Sequence, residues 1–199
     1  MAIQRSKPGT EKDQLRREVA EGRSSLKRMP ERKAQLDAEI VTYSITAMTH
    51  FGALNQPIAA YNPLPSEPGP ADYAARLNAH AQNVWLPISL AEGVLAWAST
   101  PQDGQAERQG ALGITEPQGP RFNSNVLRAC ALVIAPAMAV DKHGLRLGKG
   151  AGYYDRALAG LDVPVAAVVY DTEFVAAVPH EAHDAPVDAV ITPSGFFPL

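Results

Sequence analysis

Residues 131–140 form an apolar run of Ala, Leu, Val, Ile and Met. It feeds without a break into a segment dense in glycine and charge, from Asp141 to Arg156 (Asp-Lys-His-Gly-Leu-Arg-Leu-Gly-Lys-Gly-Ala-Gly-Tyr-Tyr-Asp-Arg). The first run predicts a buried strand, 153–161 a short helix, and 163–170 the next strand. Strand, glycine loop, helix, strand is the βαβ pattern. It sets the loop at the carboxyl end of a parallel strand. Open α/β sheets bind their ligands there.

Gly148, Gly150 and Gly152 alternate, so no Cβ crowds that side and backbone N–H groups are free to turn toward an anion. A helix starting near Gly152 adds unpaired N–H groups and the positive end of its dipole. Arg146 and Lys149 bring full positive charge, and Asp155 brings a hard oxygen of the kind Mg²⁺ takes. These parts suit a nucleotide polyphosphate with its metal. Three alternating glycines alone are better explained by a glycine-rich turn with solvated basic residues. The segment is not a Walker A loop, because Gly150 and not Ser or Thr follows Lys149. Nor is it a dinucleotide fingerprint, because Tyr153 stands where the third glycine would fall.

The remaining chain narrows the class. Its 199 residues predict one domain with a substantial core, and 1–9 read as a loose tail. The net charge of −3 gives no support to a nucleic-acid role. It is unevenly spread: residues 1–40 hold ten Lys and Arg against seven Asp and Glu. Cys130, the only cysteine, excludes an internal disulfide or a thiolate zinc cluster, and its apolar surroundings read as core. The first residues lack the apolar stretch of a secretory signal, and no run approaches the ~20 apolar residues of a membrane span. A cytoplasmic monomer is the expected state.

In order along the chain, Thr10 is placed to cap a first helix on which Lys12 and Arg16, four apart, share a face. Taken alone, that pair is better explained by ordinary surface charge than by an anion between them. Pro30 suits the first turn of a second helix over 31–51. A strand over 56–61 leads into 62–70, a four-proline loop carrying Asn62 and Glu67. A helix is expected over 71–81, a strand over 84–87 cut short by Pro87, and another over 95–99. Polar turns follow over 100–109, then a loop at 113–117 carrying Glu116, a helical turn over 174–178, and a last strand over 187–192. His180 and His183 beside Glu181 and Asp184 form too weak a ligand pattern for a metal cluster. No Ser/His or Cys/His nucleophile–base pair stands out.

The run Asp141-x-x-Gly144-x-Arg146-Leu147-Gly148-x-Gly150-x-Gly152-Tyr153-Tyr154-Asp155-Arg156 closely resembles the signature loop of the 5-formyltetrahydrofolate cyclo-ligase (5,10-methenyltetrahydrofolate synthetase) family. Further blocks resemble that family in its order: Lys12-x-x-x-Arg16, Tyr61 through Glu67, Glu116-Pro117, and Pro179-x-x-x-His183-Asp184 with the segment 187–192. Two positions depart from it. Ala151 replaces a common glycine, and Glu173 stands where many relatives have Gln, a change expected to weaken an anionic contact.

The resemblance implies a three-layer α/β/α domain with a mainly parallel sheet. It also implies an ATP- and Mg²⁺-dependent ligase that converts 5-formyltetrahydrofolate to 5,10-methenyltetrahydrofolate. By the same resemblance, Lys12, Arg16, Arg146, Lys149 and the backbone of Gly148, Gly150, Ala151, Gly152, Tyr153 and Tyr154 hold ATP. Asn62 and Glu67, with Lys149, Gly150, Gly152 and Tyr153, meet the folate. Arg146, Lys149 and Tyr153 act in the chemistry, and Asp155 and Asp184 stand near Mg²⁺. A non-catalytic nucleotide- or folate-binding relative acting as a sensor is the alternative. A sugar-phosphate enzyme explains the loop but neither Glu67 nor the basic pair.

Overall fold

The computed structural model describes residues 8–90, 93–100, 107–109, 115–117, 119–180 and 186–199, with side chains described from residue 11 and outside 107–109 and 115–117. Two long helices open the chain, α1 (Pro8–Lys27) and α2 (Pro30–His50). The break between them falls where Pro30 takes the first turn of α2, a place its missing N–H and fixed φ suit. Then follow β1 (Pro57–Ala59), α3 (Tyr73–Asn78), β2 (Asn83–Ser89), β3 (Leu95–Ser99), β4 (Glu107–Gln109) and β5 (Thr115–Pro117). A 3₁₀ helix (Ser124–Ala129) leads to β6 (Leu132–Pro136), β7 (Ala139–Asp141), β8 (Arg146–Leu147), α4 (Tyr153–Leu158) and β9 (Val165–Val168). The described chain closes with a 3₁₀ turn (Asp171–Glu173), β10 (Phe174–Val175), β11 (Ala189–Thr192) and β12 (Gly195–Pro198).

The main sheet has seven strands in the order β12-β11-β9-β6-β1-β2-β3. The strands β11, β9, β6, β1 and β2 run parallel, and the outer β12 and β3 are antiparallel to their neighbours. Strand residues alternate between two apolar layers. Ile58, Ile134, Val168 and Ile191 face Ile40 and Met48 of α2 and Leu77 of α3. Ala59, Val133, Ala135 and Val190 face Leu127 and, from α4, Ala157 and Leu158. This is the expected three-layer α/β/α arrangement on a mainly parallel sheet.

From β1 the chain moves to β2 on one side, then returns to place β6, β9 and β11 on the other. The connections leaving β1 and β6 therefore part company, which opens a crevice at their carboxyl ends. The proline-rich loop 60–72 and the glycine segment 142–152 both emerge there.

Several local expectations are corrected. Pro8 and Gly9 belong to α1, so the helix starts before Thr10 and Thr10 does not cap it. The apolar run is not one strand: β6 leaves the main sheet at Pro136, and β7 joins a second sheet in the order β10-β7-β8. A purely apolar run carries no period that marks which sheet it enters. Pro87 does not interrupt β2. The Ala60 N–H bonds the Trp85 carbonyl, so Pro87, two residues on, turns its missing N–H toward the side where β1 has already ended. Residues 107–109 and 115–117 pair as β4 and β5 instead of forming only turns and loop. The expected helical turn over 174–178 is β10, which pairs with β7. α4 is six residues long, shorter than the predicted 153–161, and its dipole is correspondingly weaker.

Candidate active site

The crevice is a cleft floored by the ends of β1, β2 and β6. One wall comes from the loop after β1, with Asn62, Leu64 and Glu67. The other comes from the glycine segment and the start of α4, with Arg146, Gly148, Lys149, Ala151, Gly152, Tyr153, Tyr154 and Asp155. Leu86, Leu95, Pro136 and Met138 make one side of it apolar.

Glu67 is buried, and both of its carboxylate oxygens are engaged. Oε2 accepts the Leu64 N–H at 2.8 Å, and Oε1 lies 2.6 Å from Lys149 Nζ. The loop that carries it is braced from below. The Tyr61 hydroxyl donates to the Pro68 carbonyl at 2.8 Å, and the Gly69 N–H donates to Asp37 Oδ1 at 3.1 Å. Gly69 has φ +107°, a conformation that favours glycine. Asp37, buried on α2, is also held by Lys33 Nζ at 2.5 Å and by the Tyr170 hydroxyl at 2.9 Å. A buried carboxylate needs these partners to offset its desolvation. Here they tie α2, the acidic loop and the end of β9 into one support.

Across the cleft, β8 presents Arg146, whose guanidinium is nearly sealed from solvent, donates to Asp155 and lies 5.8 Å from the centre of the Tyr154 ring. The Tyr154 hydroxyl is buried and has no hydrogen-bond partner among the described residues. Burial pushes its pKa up and the negative charge of Glu67 adds to that, with Arg146 opposing, so the phenol stays protonated. An unpaired buried hydroxyl on a cleft wall is a donor waiting for a ligand atom.

The glycine segment is pinned at both ends. From α1, Arg16 Nε donates to the Gly148 carbonyl at 3.0 Å, and its guanidinium covers Gly150. From α4, Arg156 donates to the Ala151 carbonyl at 2.6 Å and to the Gly93 carbonyl at 2.9 Å. The Tyr153 hydroxyl donates to the Leu90 carbonyl at 3.1 Å. The turn between β2 and β3 is thus strapped to the glycine segment. Gly93 is required there: its φ is +71°, and a Cβ would fall 1.7 Å from Arg156 Nη2.

The chain's sequence matches the model of the 5-formyltetrahydrofolate cyclo-ligase family over residues 8–193. The chain belongs to the 5-formyltetrahydrofolate cyclo-ligase family. It is 33% identical over 189 residues to the 5-formyltetrahydrofolate cyclo-ligase of Mycolicibacterium smegmatis, covering 92% of this chain and 93% of that one. The NMR structure of Aquifex aeolicus 5,10-methenyltetrahydrofolate synthetase superposes with a TM-score of 0.76 at 25% identity, covering 94% and 92% of the two chains. The Mycoplasma pneumoniae 5,10-methenyltetrahydrofolate synthetase, at 20% identity, shares the fold with a TM-score of 0.69 over 92% and 99%. The chain is accordingly an enzyme of the cyclo-ligase family, as the signature loop led us to expect.

Of the residues singled out for this family, the cleft gathers Asn62, Glu67, Arg146, Gly148, Lys149, Ala151, Gly152, Tyr153, Tyr154 and Asp155. Arg16 and Gly150 stack immediately beside it, and Lys12 lies one turn before Arg16 on α1. Asp184 and His183 lie outside the described residues. Glu173 is not in the cleft: its carboxylate is clamped by Arg23 and accepts the Tyr170 N–H, so its charge is spent inside the protein. The expectation that it weakens an anionic contact is corrected on that ground.

Among the described residues no group of three or more His, Cys, Asp and Glu side chains stands ready to hold a metal. No helix among them is long and apolar enough to cross a membrane. Asp155, nearly half exposed and lining the cleft, offers hard oxygen of the kind Mg²⁺ prefers, so the donor chemistry fits that ion. Sequence reading missed Asp37, Arg156, Met138, Leu90 and Gly93. Arg156 alone carried a signal, its place at the end of the signature run.

Proposed function

We propose that the chain catalyses ATP-dependent closure of 5-formyltetrahydrofolate to 5,10-methenyltetrahydrofolate, releasing ADP and phosphate. One observation carries this reading: Lys149 Nζ lies 2.6 Å from Glu67 Oε1, so a phosphate-type cation and a buried carboxylate acceptor share one cleft. Two ligands of different chemistry, a polyphosphate and a heterocycle with N–H donors, then meet at that point.

The formyl carbon of the substrate is an amide carbon, a poor electrophile whose oxygen is a poor leaving group. Transfer of the γ-phosphoryl group to the formyl oxygen breaks the bond to ADP and forms an imidate phosphate. The N10 electron pair then attacks the carbon and N10 gives up its proton, which the departing phosphate takes; the C–O bond breaks, phosphate leaves, and the methenyl bridge is complete. Such chemistry depends on positioning and charge neutralisation and needs no protein nucleophile.

Arg146 and Lys149 neutralise the β- and γ-phosphates, and Arg16 and Lys12 add charge from α1. The Tyr154 hydroxyl gains its missing partner from a ligand oxygen. Glu67 and Asn62 orient the pterin, and the apolar side of the cleft, with Tyr153, excludes water from it. Asp155 and Asp184 would hold Mg²⁺, which supplies further neutralisation of phosphate charge when bound. The test follows methenyl-folate absorbance from 5-formyltetrahydrofolate with ATP and Mg²⁺ each omitted in turn. Product only in the complete mixture is the expected result, and absence of both product and ADP there refutes the reading.

A further inference from the structure

Arg23 lies seven residues after Arg16 on α1, close to two helical turns, so the two arginines share one stripe with Val19 between them. Arg23 is almost completely buried, at 4% exposure, and every side of its guanidinium is used. Nε donates to Glu173 Oε1 at 2.6 Å and Nη2 to Oε2 at 2.7 Å. Nη2 also reaches the Ala137 carbonyl at 2.6 Å, and Nη1 lies 3.8 Å from Met138 Sδ. Ala137 and Met138 are part of the cleft wall, at the end of β6. The apolar hold on this helix comes from three side chains: Val19, buried, and Leu15, partly so, against Met138, Ala139, Leu147 and Val178, with Leu26 partly buried against the main core near its carboxyl end.

An aliphatic side chain in place of Arg23 would cover the same apolar floor with no charge to desolvate. What it lacks is direction. A bidentate guanidinium–carboxylate pair fixes angle as well as distance, and the bond to the Ala137 carbonyl references α1 to the cleft wall itself. Two turns toward the amino terminus, the same stripe delivers Arg16 to the Gly148 carbonyl. A small rotation or slide of α1 at Arg23 therefore moves Arg16 off the glycine segment.

We propose that Arg23 is a positioning residue for the phosphate end of the cleft. It acts through α1, and Glu173 is the anion it requires. The assignment rests on the function proposed above. Glu173 thereby has a role within this chain: it supplies the charge that permits an arginine at position 23.

Arg23→Ala strands a buried carboxylate and is a poor test, because it threatens folding itself. The variant to use is Arg23→Gln/Glu173→Gln, which removes both charges while retaining groups that can hydrogen-bond. Two measurements on the full chain decide the matter. The first is hydrogen–deuterium exchange of the α1 amides over residues 12–19 without ligand, expected to quicken by roughly tenfold while α2 amides are unchanged. The second is steady-state kinetics, where KM for ATP is expected to rise at least ~10-fold with KM for 5-formyltetrahydrofolate within about twofold. Unchanged α1 exchange, or both KM values rising together, overturns the proposal. A wild-type chain that consumes no ATP refutes the proposed function instead, while the exchange measurement still decides whether Arg23 docks α1.

Discussion

Lys149 and Glu67 form an ion pair across the mouth of the cleft in which the partners are unequally exposed: the lysine is half in solvent, and the carboxylate is 8% exposed. The buried partner is fixed, with its other oxygen on the Leu64 N–H, and the exposed one is free to swing. On the proposed function, an arriving triphosphate would draw the ammonium away and leave Glu67 needing a new donor, which the pterin would supply. Glu67→Gln keeps an acceptor for Leu64 but loses the charge. We expect kcat/KM for 5-formyltetrahydrofolate to fall ~10²-fold with KM for ATP changed far less. Equal losses for both substrates would contradict this division of labour. Lys149→Ala should also cost about 1 kcal/mol of stability, a modest figure because the lysine is half exposed.

Arg146 is the buried cation of the site, held by Asp155 and the Tyr154 face. On the proposed function its charge stabilises the transferring phosphoryl group, so Arg146→Ala should lower turnover by at least ~10²-fold. Arg146→Lys should recover little, because a point charge cannot reproduce the planar fork over the ring. Near-normal turnover in either variant would remove Arg146 from the chemistry.

Tyr154 carries a buried hydroxyl that has no hydrogen-bond partner among the described residues. Leaving such a group unsatisfied costs about 1–3 kcal/mol, so Tyr154→Phe should melt higher than wild type while turning over more slowly. Opposite movement of the two quantities marks a group kept for its ligand. A lower melting temperature would show that the hydroxyl already has a partner in solution.

Cys130 is buried beneath the 3₁₀ helix, and burial pushes its thiol pKa up to about 12 from 9.0. The raised value means that neutral Cys130 favours the fold fully below about pH 9, with that contribution lost as pH climbs through about 12. At pH 8 the thiol should resist iodoacetamide until the chain unfolds, and treated enzyme should keep its activity. Rapid native-state alkylation, followed by mass spectrometry, would overturn the assignment of Cys130 to the core.

Much of the site was legible because its residues are adjacent in the chain. Arg146, Lys149, Tyr153, Tyr154 and Asp155 fall within ten positions, and the glycines between them announce a backbone that comes close to a ligand. Asn62 and Glu67 could be placed in a proline-rich loop at the end of a strand, but only the family resemblance pointed to them as site residues. The supports were not. Arg23 and Glu173 are 150 residues apart, and Asp37 and Tyr170 are 133 apart. A buried charge reads in sequence like a solvated one. The hairpin of β7 and β8 was hidden for a related reason, since an uninterrupted apolar run has no period to mark where one sheet ends and another begins.

Short-range order carried the βαβ unit, through hydrophobic period and glycine spacing, and the start of α2, through Pro30. The layered fold class and the reading of the glycine segment as a ligand loop rested on the resemblance of the signature run to a known family. Tertiary structure alone decided that the loop after β1 and the segment after β6 face each other, because that depends on strand order reversing between them. It alone decided which charges are spent internally, as with Arg23, Glu173 and Asp37, and which are left facing a ligand. Burial and pairing are properties of the packed chain, and no local pattern encodes them.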